Sequence, residues 1–459
     1  MLYPVLQDPL RPVVGSLFDR PVGVNIRQML FGAGEQGGWY DVADMSTLFQ
    51  DSAGATPVTA VEQPVGRMLD KSGRGNHATQ STTTKRPVLS RRVNLHIGST
   101  SSSAVHPLYA AKQVVTTNAA LTADGVLRAT KAAPNTENSR HSGYTSIVIN
   151  APLKISVYAK PAGLNYIEFV EQGTNQFGIC FNLVGSGSVS GVSGLCSLGN
   201  SSITALNDGW YFCETTLTGS VNNPAVGVSA VPSGTPGAYG QIFTGDGING
   251  AYFYDFSIVN AIDAHLPYQH VAAYGIYDAD PNKFPAYLRF DGVDDALQTG
   301  NIDFTSTDKM TVWAGVTRMG TAVAQNNVLE LSPFGANPGT FSMYGRAGAS
   351  DNFGYASTGT VTATVIVAAD SIASGVLTGW SDIPGKSVAL RFNSAAPVLS
   401  NTDQGAGTYA AHVLNIGARD QTYGFFNGRL YSLIVRGAQS SLSQIEATEL
   451  YIKQKMRMP

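Results

Sequence analysis

The sequence predicts an all-β protein with two antiparallel β-sandwich domains, an extended N-terminal arm and a short C-terminal helix. Segments with alternating apolar and polar residues recur along the chain, as at 388–392, and Gly, Ser and Asn clusters separate them. The 50 Gly and 22 Pro are typical of many short strands joined by turns. At 459 residues the chain is longer than one sandwich needs, so we expect two or three domains, each with its own core.

The charge composition excludes several classes of partner. Only 13% of the residues are charged and the net charge is −3, which gives no reason to expect nucleic-acid binding. No apolar run is long enough to span a bilayer, and no basic-plus-apolar signal opens the sequence. We therefore expect no membrane span and no export by those routes. Assembly in a cytoplasm followed by lysis would leave no such signal.

The three cysteines predict neither a metal site nor a disulfide framework. Cys180, Cys196 and Cys213 are odd in number and lack CxxC spacing. Cys180 and Cys213 lie inside apolar strand patterns, where a free thiol behaves as a small buried hydrophobe. We favour that interpretation over a redox role.

Residues 1–38 are interpreted as an extended arm. Four prolines within the first 21 residues fix φ and remove backbone donors, which prevents long helices and central strands. The arm is too apolar for a solvated tail, with Leu, Val, Ile, Met and Phe throughout. Two alternatives explain an apolar arm: burial against another chain, or packing along its own body.

Residues 39–90 have a different sequence pattern, in which short apolar segments alternate with turn residues. The loop with Gly73, Gly75 and Asn76 contains residues that tolerate positive φ. A glycine-rich loop can also bind phosphate, but the GxxxxGK[ST] pattern is absent and no helical pattern follows. A structural turn is therefore the preferred interpretation.

Residues 95–275 contain a separate series of predicted strands. Strand patterns recur between 154 and 259, and Gly, Ser and Asn clusters separate them. Short strands of this kind predict an antiparallel sandwich. The serine-rich tract at 99–103 marks the entry to this region.

Residues 283–459 supply further strands and one helix. A strand with one buried face is predicted where Val388, Leu390 and Phe392 alternate with more polar positions. The chain then ends in a helix with Ser441 or Ser443 as N-cap. The expected buried stripe of this helix consists of Leu442, Ile445, Glu449, Ile452 and Met456.

Three segments carry a resemblance to a known family. The sequences DKSGRGNH at 70–77, FDGVDD at 290–295 and GRLYSLIV at 428–435 resemble the laminin-G or concanavalin-like sandwich of bacteriophage virion proteins. In that family the first block is followed after a short link by the FDGVDD strand. The resemblance therefore implies one sandwich formed by 39–90 and 283–459, interrupted by an insert.

The insert carries a second resemblance. The sequences SVYAKP at 156–161, NDGWYFC at 207–213 and YFYDFSIV at 252–259 resemble the carbohydrate-binding-module-like jelly rolls of phage tail proteins. The resemblance implies a jelly roll over 95–275, inserted into the lectin-like sandwich.

Catalysis is not expected. Glycan hydrolysis is the most specific enzyme hypothesis, because sandwiches like this include glucanases. It requires two carboxyl groups flanking a cleft. No ExDxxE-type strand is present, and Glu330 stands alone between Leu329 and Leu331. The seven histidines are scattered without metal-ligand spacing. We therefore predict that the protein is not an enzyme.

An acidic cluster leaves one cofactor alternative open. Asp291, Asp294 and Asp295 surround Gly292, where aspartates commonly bond to the local backbone. The same residues could contribute to a Ca²⁺ site, which takes six to eight oxygen ligands. The turn is the preferred interpretation, and no other cofactor or metal is expected.

Glycan binding is the remaining chemistry. Sugars are recognised by aromatic faces together with planar amides or carboxylates. Aromatic residues in Gly-, Asn- and Asp-rich contexts are the candidates: Tyr344, Phe353, Tyr355, Tyr423 and Phe425, together with Phe426. Each could equally pack in a core or between subunits.

The resemblance then implies a function. We expect a structural protein of a tailed bacteriophage virion, assembled in the host cytoplasm, attached to other virion proteins by the arm at 1–38, and a homo-oligomer, most simply a trimer. Its lectin-like sandwiches would adhere to host surface polysaccharide. The alternatives are a purely structural capsid or neck decoration protein, and a polysaccharide depolymerase.

Overall fold

The computed structural model describes residues 25–98, 112–147, 150–319, 326–333, 337–345, 351–370 and 372–459, apart from single positions at 172, 174, 176, 220 and 223. The chain is almost entirely β, with antiparallel sheets stacked as sandwiches and a helix at the end, which confirms the predicted fold class. Among the described residues, no helix is both long and apolar enough to cross a membrane.

Among the residues from 25 to 98, the N-terminal part forms one short α-helix and five short strands. Their bounds are α1 Ile26–Phe31, β1 Gly37–Asp41, β2 Leu48–Phe49, β3 Arg67–Met68, β4 Ala78–Thr79 and β5 Val88–Ser90.

In the described ranges between 112 and 277, the middle part forms seventeen strands. Their bounds are β6 Gln113–Leu121, β7 Leu127–Pro134, β8 Asn138–Arg140, β9 Gly143–Ser146, β10 Asn150–Ala151, β11 Leu153–Ala162, β12 Tyr166–Glu171, β13 Gly178–Asn182, β14 Ser188–Ser193, β15 Ser201–Ala205, β16 Tyr211–Thr216, β17 Val221–Asn222, β18 Ala225–Val231, β19 Ile242–Thr244, β20 Gly250–Asn260, β21 Val271–Ala273 and β22 Ile276–Tyr277.

The described residues of the C-terminal part form twelve strands and the closing helix. Their bounds are β23 Tyr287–Asp291, β24 Leu297–Asp303, β25 Lys309–Arg318, β26 Asn326–Leu331, β27 Thr340–Gly345, β28 Asn352–Thr358, β29 Thr362–Ala368, β30 Ala373–Asp382, β31 Ser387–Phe392, β32 Val398–Ser400, β33 Ala411–Ile416, β34 Asn427–Arg436 and α2 Leu442–Lys455.

Two large sheets combine strands from both ends of the chain. One has the order β32-β31-β30-β25-β34-β23-β5, with β1 also paired to β34. The other has nine strands in the order β2-β3-β4-β24-β33-β26-β27-β28-β29. A continuous apolar core lies between them and includes Tyr40, Leu288, Val312 and Leu414. We call this unit the split sandwich.

The middle part forms a second sandwich. A six-stranded sheet with the order β15-β16-β11-β20-β7-β6 faces a five-stranded sheet with the order β14-β13-β12-β18-β9. Their shared core contains Val157, Phe169, Phe181 and Phe253. The alternation in β11, where every second residue from Leu153 to Ala159 is buried, is the period expected of a strand with one apolar face. We call this unit the middle sandwich.

The end of the expected N-terminal arm is helical rather than extended. Residues 1–24 lie outside the described residues, and α1 follows, with the Asn25 side chain accepting from the Gln28 N–H. Ile26, Leu30 and Phe31 are buried against residues of β25, β34 and α2. A helix is possible here because Pro21 is the last proline before Pro57. This segment therefore packs along its own body.

The closing helix α2 is confirmed, with a correction to its buried stripe. Ser441 caps it through a capping box with Gln444, as predicted for Ser441. Ile445, Glu449, Ile452 and Met456 are buried, but Leu442 is 61% exposed. Leu442 is the first helical residue, and in that turn it is Gln444 that contacts the body, where it donates to the Met29 carbonyl.

Polar contacts join the two sandwiches. Arg429 Nη1 of β34 donates to both carboxylate oxygens of Asp263 at 2.8 and 3.0 Å, and both side chains are buried. Gln269 accepts from the backbone N–H groups of Val93 and Asn94, which holds the segment after β5 against the middle part. Such a junction restrains the two units, because breaking a buried ion pair by removing one partner is costly.

Candidate functional site

The five aromatic candidates do not form one site. Phe353 and Tyr355 have no exposed surface and belong to the core of the split sandwich, so neither can stack on a ligand. Phe426 is also buried. Tyr423 is 50% exposed and Phe425 is half-buried, both in the loop that precedes β34.

The error at Phe353 and Tyr355 has a structural reason. The glycine between them suggested a loop, whereas the segment is the regular strand β28, in which alternate residues face the core. Gly354 lies opposite Tyr344 of β27, and a β-carbon added there would lie 2.6 Å from the Tyr344 ring. The glycine therefore makes room for Tyr344, which stays half-buried on the outer face of the nine-stranded sheet.

Tyr344 borders a row of side chains that crosses all nine strands. Consecutive strand registers place one residue from each strand side by side, on the face turned away from the core: Phe49, Arg67, Thr79, Gln298, Asn415, Glu330, Ser342, Ala356 and Thr364. Neighbouring strands are about 4.8 Å apart, so the row extends over roughly 40 Å. Most of its members are polar.

A depression opens at one end of this row. It has a volume of about 160 Å³, and its lining is dominated by hydroxyl groups. The lining residues are Glu330, Thr340, Phe341, Ser342, Tyr344, Ala356, Thr358, Thr362, Thr364 and Arg419. We call the row together with this depression the polar groove.

The floor of the polar groove is held by hydrogen bonds. Gln298 Nε2 donates to Asn415 Oδ1 at 2.7 Å, and Asn415 Nδ2 donates to the Ser332 carbonyl at 3.0 Å. Asn415 has no exposed surface, whereas Thr364 at the far end of the row is exposed. These planar amides are therefore fixed in orientation before any ligand arrives.

Glu330 is the charged centre of the groove. Arg419 Nε donates to its Oε2 at 2.7 Å, and the Glu330 side chain is only 3% exposed. Burial raises the pKa of Glu330, against the lowering effect of the Arg419 hydrogen bond and charge. Glu330 is the one carboxylate among the residues that line the depression. Beyond that lining, Asp420 lies close enough for its charge to raise the pKa of Glu330 further.

The aspartates at the β23–β24 turn do lie together. One carboxylate oxygen each from Asp291, Asp294 and Asp295 falls within 4.8 Å of the others. Asp291 Oδ1 accepts from the N–H groups of Val293 and Asp294, and Asp295 Oδ2 accepts from the Asp291 N–H. Burial, followed by the charge of Asp291, raises the pKa of Asp295 to about 7. These local bonds are those of an Asx-type turn, and Ca²⁺ would need several further oxygen ligands.

The cysteines offer no reactive site. All three are free and buried, which agrees with the predicted interpretation of Cys180 and Cys213. Burial raises the pKa of Cys196 to about 12 and that of Cys213 well above its ordinary value. Thiols in such surroundings stay protonated at neutral pH, and the thiolate is the nucleophilic form.

Several groove residues were missed by reasoning from the sequence. Glu330 was noticed only as a possible catalytic acid, and Ser342, Asn415, Gln298 and Arg419 were not singled out. The available signal was the alternation of polar with apolar residues in β26, β27 and β29. That alternation shows which residues share a face within one strand, but it does not show which strands are neighbours.

Together, these sheets define an all-β protein built of antiparallel β-sandwiches. No protein-family model matches the sequence, and a search of curated proteins gives no match.

Solved structures are similar to parts of the chain. A carbohydrate-binding module, CBM40, of the Ruminococcus gnavus IT-sialidase bound to α2,3-sialyllactose shares 15% identity, with 33% of this chain and 97% of that chain covered and a TM-score of 0.26. The NanB sialidase from Streptococcus pneumoniae shares 14% identity, with 34% and 27% covered and a TM-score of 0.27. A heptameric SAP-like pentraxin from Limulus polyphemus shares 13% identity, with 35% and 80% covered and a TM-score of 0.28.

Proposed function

We propose that this chain is a non-catalytic glycan-binding protein, with an oligosaccharide lying along the polar groove of the split sandwich. The observation that carries the proposal is the cross-strand row from Thr79 to Thr364, in which hydroxyl, amide and carboxylate groups stand side by side. An extended chain of sugars is the ligand whose repeating hydroxyl groups match such a row.

The groove contains the groups that sugar recognition needs. The planar amide of Gln298, the hydroxyl of Thr364 and the carboxylate of Glu330 can each bond to hydroxyl groups, while the buried Asn415 holds the Gln298 amide in place. The Tyr344 ring at the edge supplies an aromatic surface for the apolar face of a sugar ring. Because the amides are already held by protein hydrogen bonds, little conformational entropy is lost on binding.

The same geometry supports binding without turnover. The Glu330 carboxylate is held by Arg419, and the described residues that line the depression include no second carboxylate, since Asp420 lies outside that lining. A shallow site of this kind binds weakly, and a Kd of about 1 mM corresponds to about −4 kcal/mol. Several linked copies would raise the apparent affinity by about 10²–10⁴-fold if they engage together.

We also propose the biological setting that the sequence resemblance implies. The resemblance of 70–77, 290–295 and 428–435 supports a structural protein of a tailed bacteriophage particle that displays its sandwiches to host polysaccharide. Attachment through residues 1–38 and a trimeric state belong to the same proposal. Imaging of whole particles tests it, since density for this chain at the tail supports host adhesion, whereas density on the capsid or neck supports a decoration role.

The binding proposal is tested with purified protein and a panel of oligosaccharides released from host capsule or lipopolysaccharide. Tyr344→Ala is expected to weaken binding of the preferred oligosaccharide by about 3–10-fold, the effect of one aromatic contact. Ala356→Phe fills the groove and should weaken it further. Tyr274→Ala, which removes a 60% exposed tyrosine elsewhere, is the matched control and should bind like the parent protein.

Two outcomes would overturn this proposal. Equal affinity in the parent, Tyr344→Ala and Ala356→Phe proteins would exclude the polar groove as the site. New reducing ends that disappear in Glu330→Gln would show that the protein is a depolymerase.

A further inference from the structure

The middle sandwich carries a second ordered surface, on the outer face of its six-stranded sheet. Four aromatic side chains and two lysines form two adjacent cross-strand rows, with Phe212, Tyr158 and Tyr254 in one and Lys160, Tyr252 and Lys131 in the other. The rows lie on β16, β11, β20 and β7, on the side away from the core of the sandwich. We call this surface the aromatic–lysine face.

The rings of this face are packed into a rigid layer. Tyr158 stacks on Tyr254 with ring centroids 4.5 Å apart and 9° between the planes, and Phe212 lies 4.8 Å from Tyr158. Trp210 lies edge-on to Tyr254 and donates from Nε1 to the Leu121 carbonyl at 3.1 Å. Trp210 and Tyr254 are buried, whereas Tyr158, Phe212 and Tyr252 are half-buried. The layer is therefore fixed in place and still offers aromatic surface to solvent.

The basic side chains of this face differ in whether a carboxylate lies beside them. Arg128 bonds to Asp124 and Asp255, and Lys154 bonds to Glu214. Across the described residues, neither Lys131 nor Lys160 has a carboxylate within 4.0 Å, and the Lys160 ammonium lies 6.0 Å from the centre of the Trp210 ring. These two lysines flank Tyr252 on the neighbouring strands, so their backbones are roughly 10 Å apart.

We propose that the aromatic–lysine face is a second glycan site, specific for an oligosaccharide that contains carboxylated sugars. One sugar ring would stack on Tyr252, and the carboxylates of that ring and its neighbour would pair with Lys160 and Lys131. Charge complementarity selects this ligand, because the two cations without acid partners stand on either side of an aromatic surface. The site lies on a different sandwich from the polar groove and does not depend on it.

A carboxylated glycan suits this face better than a nucleic acid. Single-stranded nucleic acids bind in grooves with continuous positive charge. Here Asp124, Asp255 and Glu214 neutralise Arg128 and Lys154, so the positive charge is interrupted and only the two lysines beside Tyr252 remain to pair with anions. The net charge of the chain is also −3.

The test uses the full chain, an oligogalacturonate of about six residues as probe, and a neutral maltohexaose of the same length. The parent protein should bind the oligogalacturonate at least 10-fold more tightly than maltohexaose, and raising the salt from about 0.05 to 0.5 M should weaken that binding. Lys131→Gln/Lys160→Gln should reduce oligogalacturonate affinity at least 5-fold. Tyr252→Ala should do the same. Lys85→Gln/Lys386→Gln removes equal charge from the split sandwich and should bind like the parent.

The outcomes separate this site from the polar groove. Loss in Lys131→Gln/Lys160→Gln together with parent-like binding in Tyr344→Ala supports the second site, whatever the fate of the first. Unchanged affinity in both face variants, each with the parental thermal transition, would overturn it. Tighter binding of a single-stranded oligonucleotide than of oligogalacturonate would overturn it as well, by making the face a nucleic-acid site.

Discussion

At the scale of single residues, Glu168 is a buried carboxyl group that makes the stability of the middle sandwich depend on pH. It lies on β12 with no exposed surface, and its two oxygens accept from the backbone N–H groups of Gly237 and Gln241 at 2.7 and 3.1 Å. Burial raises its pKa from the ordinary value of 4.5 to about 7, and the two backbone hydrogen bonds offset only part of that shift. Glu168 therefore fastens the segment that follows β18 onto the five-stranded sheet.

The raised pKa predicts how stability changes with pH. Since the pKa is higher in the folded than in the unfolded chain, the stabilising contribution is complete below about pH 4.5 and is lost as the pH rises through about 7. Glu168→Gln cannot ionise. Between pH 5 and pH 8, the free energy of unfolding of the parent should therefore fall relative to that of Glu168→Gln by on the order of 3 kcal/mol. Urea denaturation at several pH values measures this difference. Glu446→Gln, at an exposed position, should show none. Parallel curves for Glu168→Gln and the parent would contradict the assignment.

The same scale shows what the sequence could and could not reveal about the groove. The alternation around Glu330 was visible, because Leu329 and Leu331 flank it. Its position beside Asn415 and Ser342 depends on the pairing of β26 with β33 and β27. The β26–β33 pairing joins segments distant in sequence, and local periodicity carries no information about it.

At the scale of elements, α2 was the most predictable part of the chain. Its boundary follows from local chemistry, since Ser441 and Gln444 form the capping box. The burial of the Glu449 carboxylate on α2 does not follow from local chemistry. Glu449 accepts from Arg391 at 2.6 and 2.7 Å and from Thr378 and Ser394, all of which come from other elements. The sequence places Glu449 on the expected buried stripe but does not show that its carboxylate fastens α2 to β30 and β31.

Breaking the Arg391–Glu449 pair predicts a strongly non-additive response. Glu449→Leu should lower the free energy of unfolding by about 3–5 kcal/mol, because Arg391 is then left buried without a counter-ion. Arg391→Met/Glu449→Leu should recover most of that loss, since an apolar pair of similar volume avoids the desolvation cost. A double-mutant cycle by urea denaturation gives the coupling energy. The exposed pair Lys386–Asp403 serves as control and should couple by less than about 1 kcal/mol. Additive effects at Arg391 and Glu449 would show that the pair contributes little.

At the scale of the whole molecule, the N-terminal and C-terminal parts form one sandwich, and the middle part forms another. Strand β1 pairs with β34, and β5 pairs with β23. Both contacts join the N-terminal part to the C-terminal part across the whole middle sandwich. The order of segments in the chain cannot reveal this arrangement by periodicity, and the resemblance of 70–77, 290–295 and 428–435 to one sandwich family was the signal that suggested it.

The β5–β23 pairing predicts that the split sandwich can fold without the middle sandwich. Ser90 lies opposite Tyr287 and Leu89 opposite Leu288, in antiparallel register. The two strands are therefore already placed as the arms of a hairpin. Replacing residues 91–283 by Gly-Asn-Gly would leave a loop of about six residues, which is close to the usual hairpin lengths. The shortened chain should fold, because the core of the split sandwich lies wholly in the parts that remain.

The shortened chain should also be less stable than its parent, and the reason can be isolated. Removing the middle sandwich deletes Asp263 and leaves Arg429 without its partner, which costs about 3–5 kcal/mol if the guanidinium stays buried. Arg429→Met in the shortened chain should restore much of that loss, whereas in the full chain it should destabilise, because Asp263 then becomes the unpaired charge. Urea denaturation followed by tryptophan fluorescence measures both effects through Trp39, Trp313 and Trp380 in the split sandwich. If the shortened chain lacked a cooperative transition with either residue at position 429, the split sandwich could not be an independent unit, and the middle sandwich would have to be part of its fold.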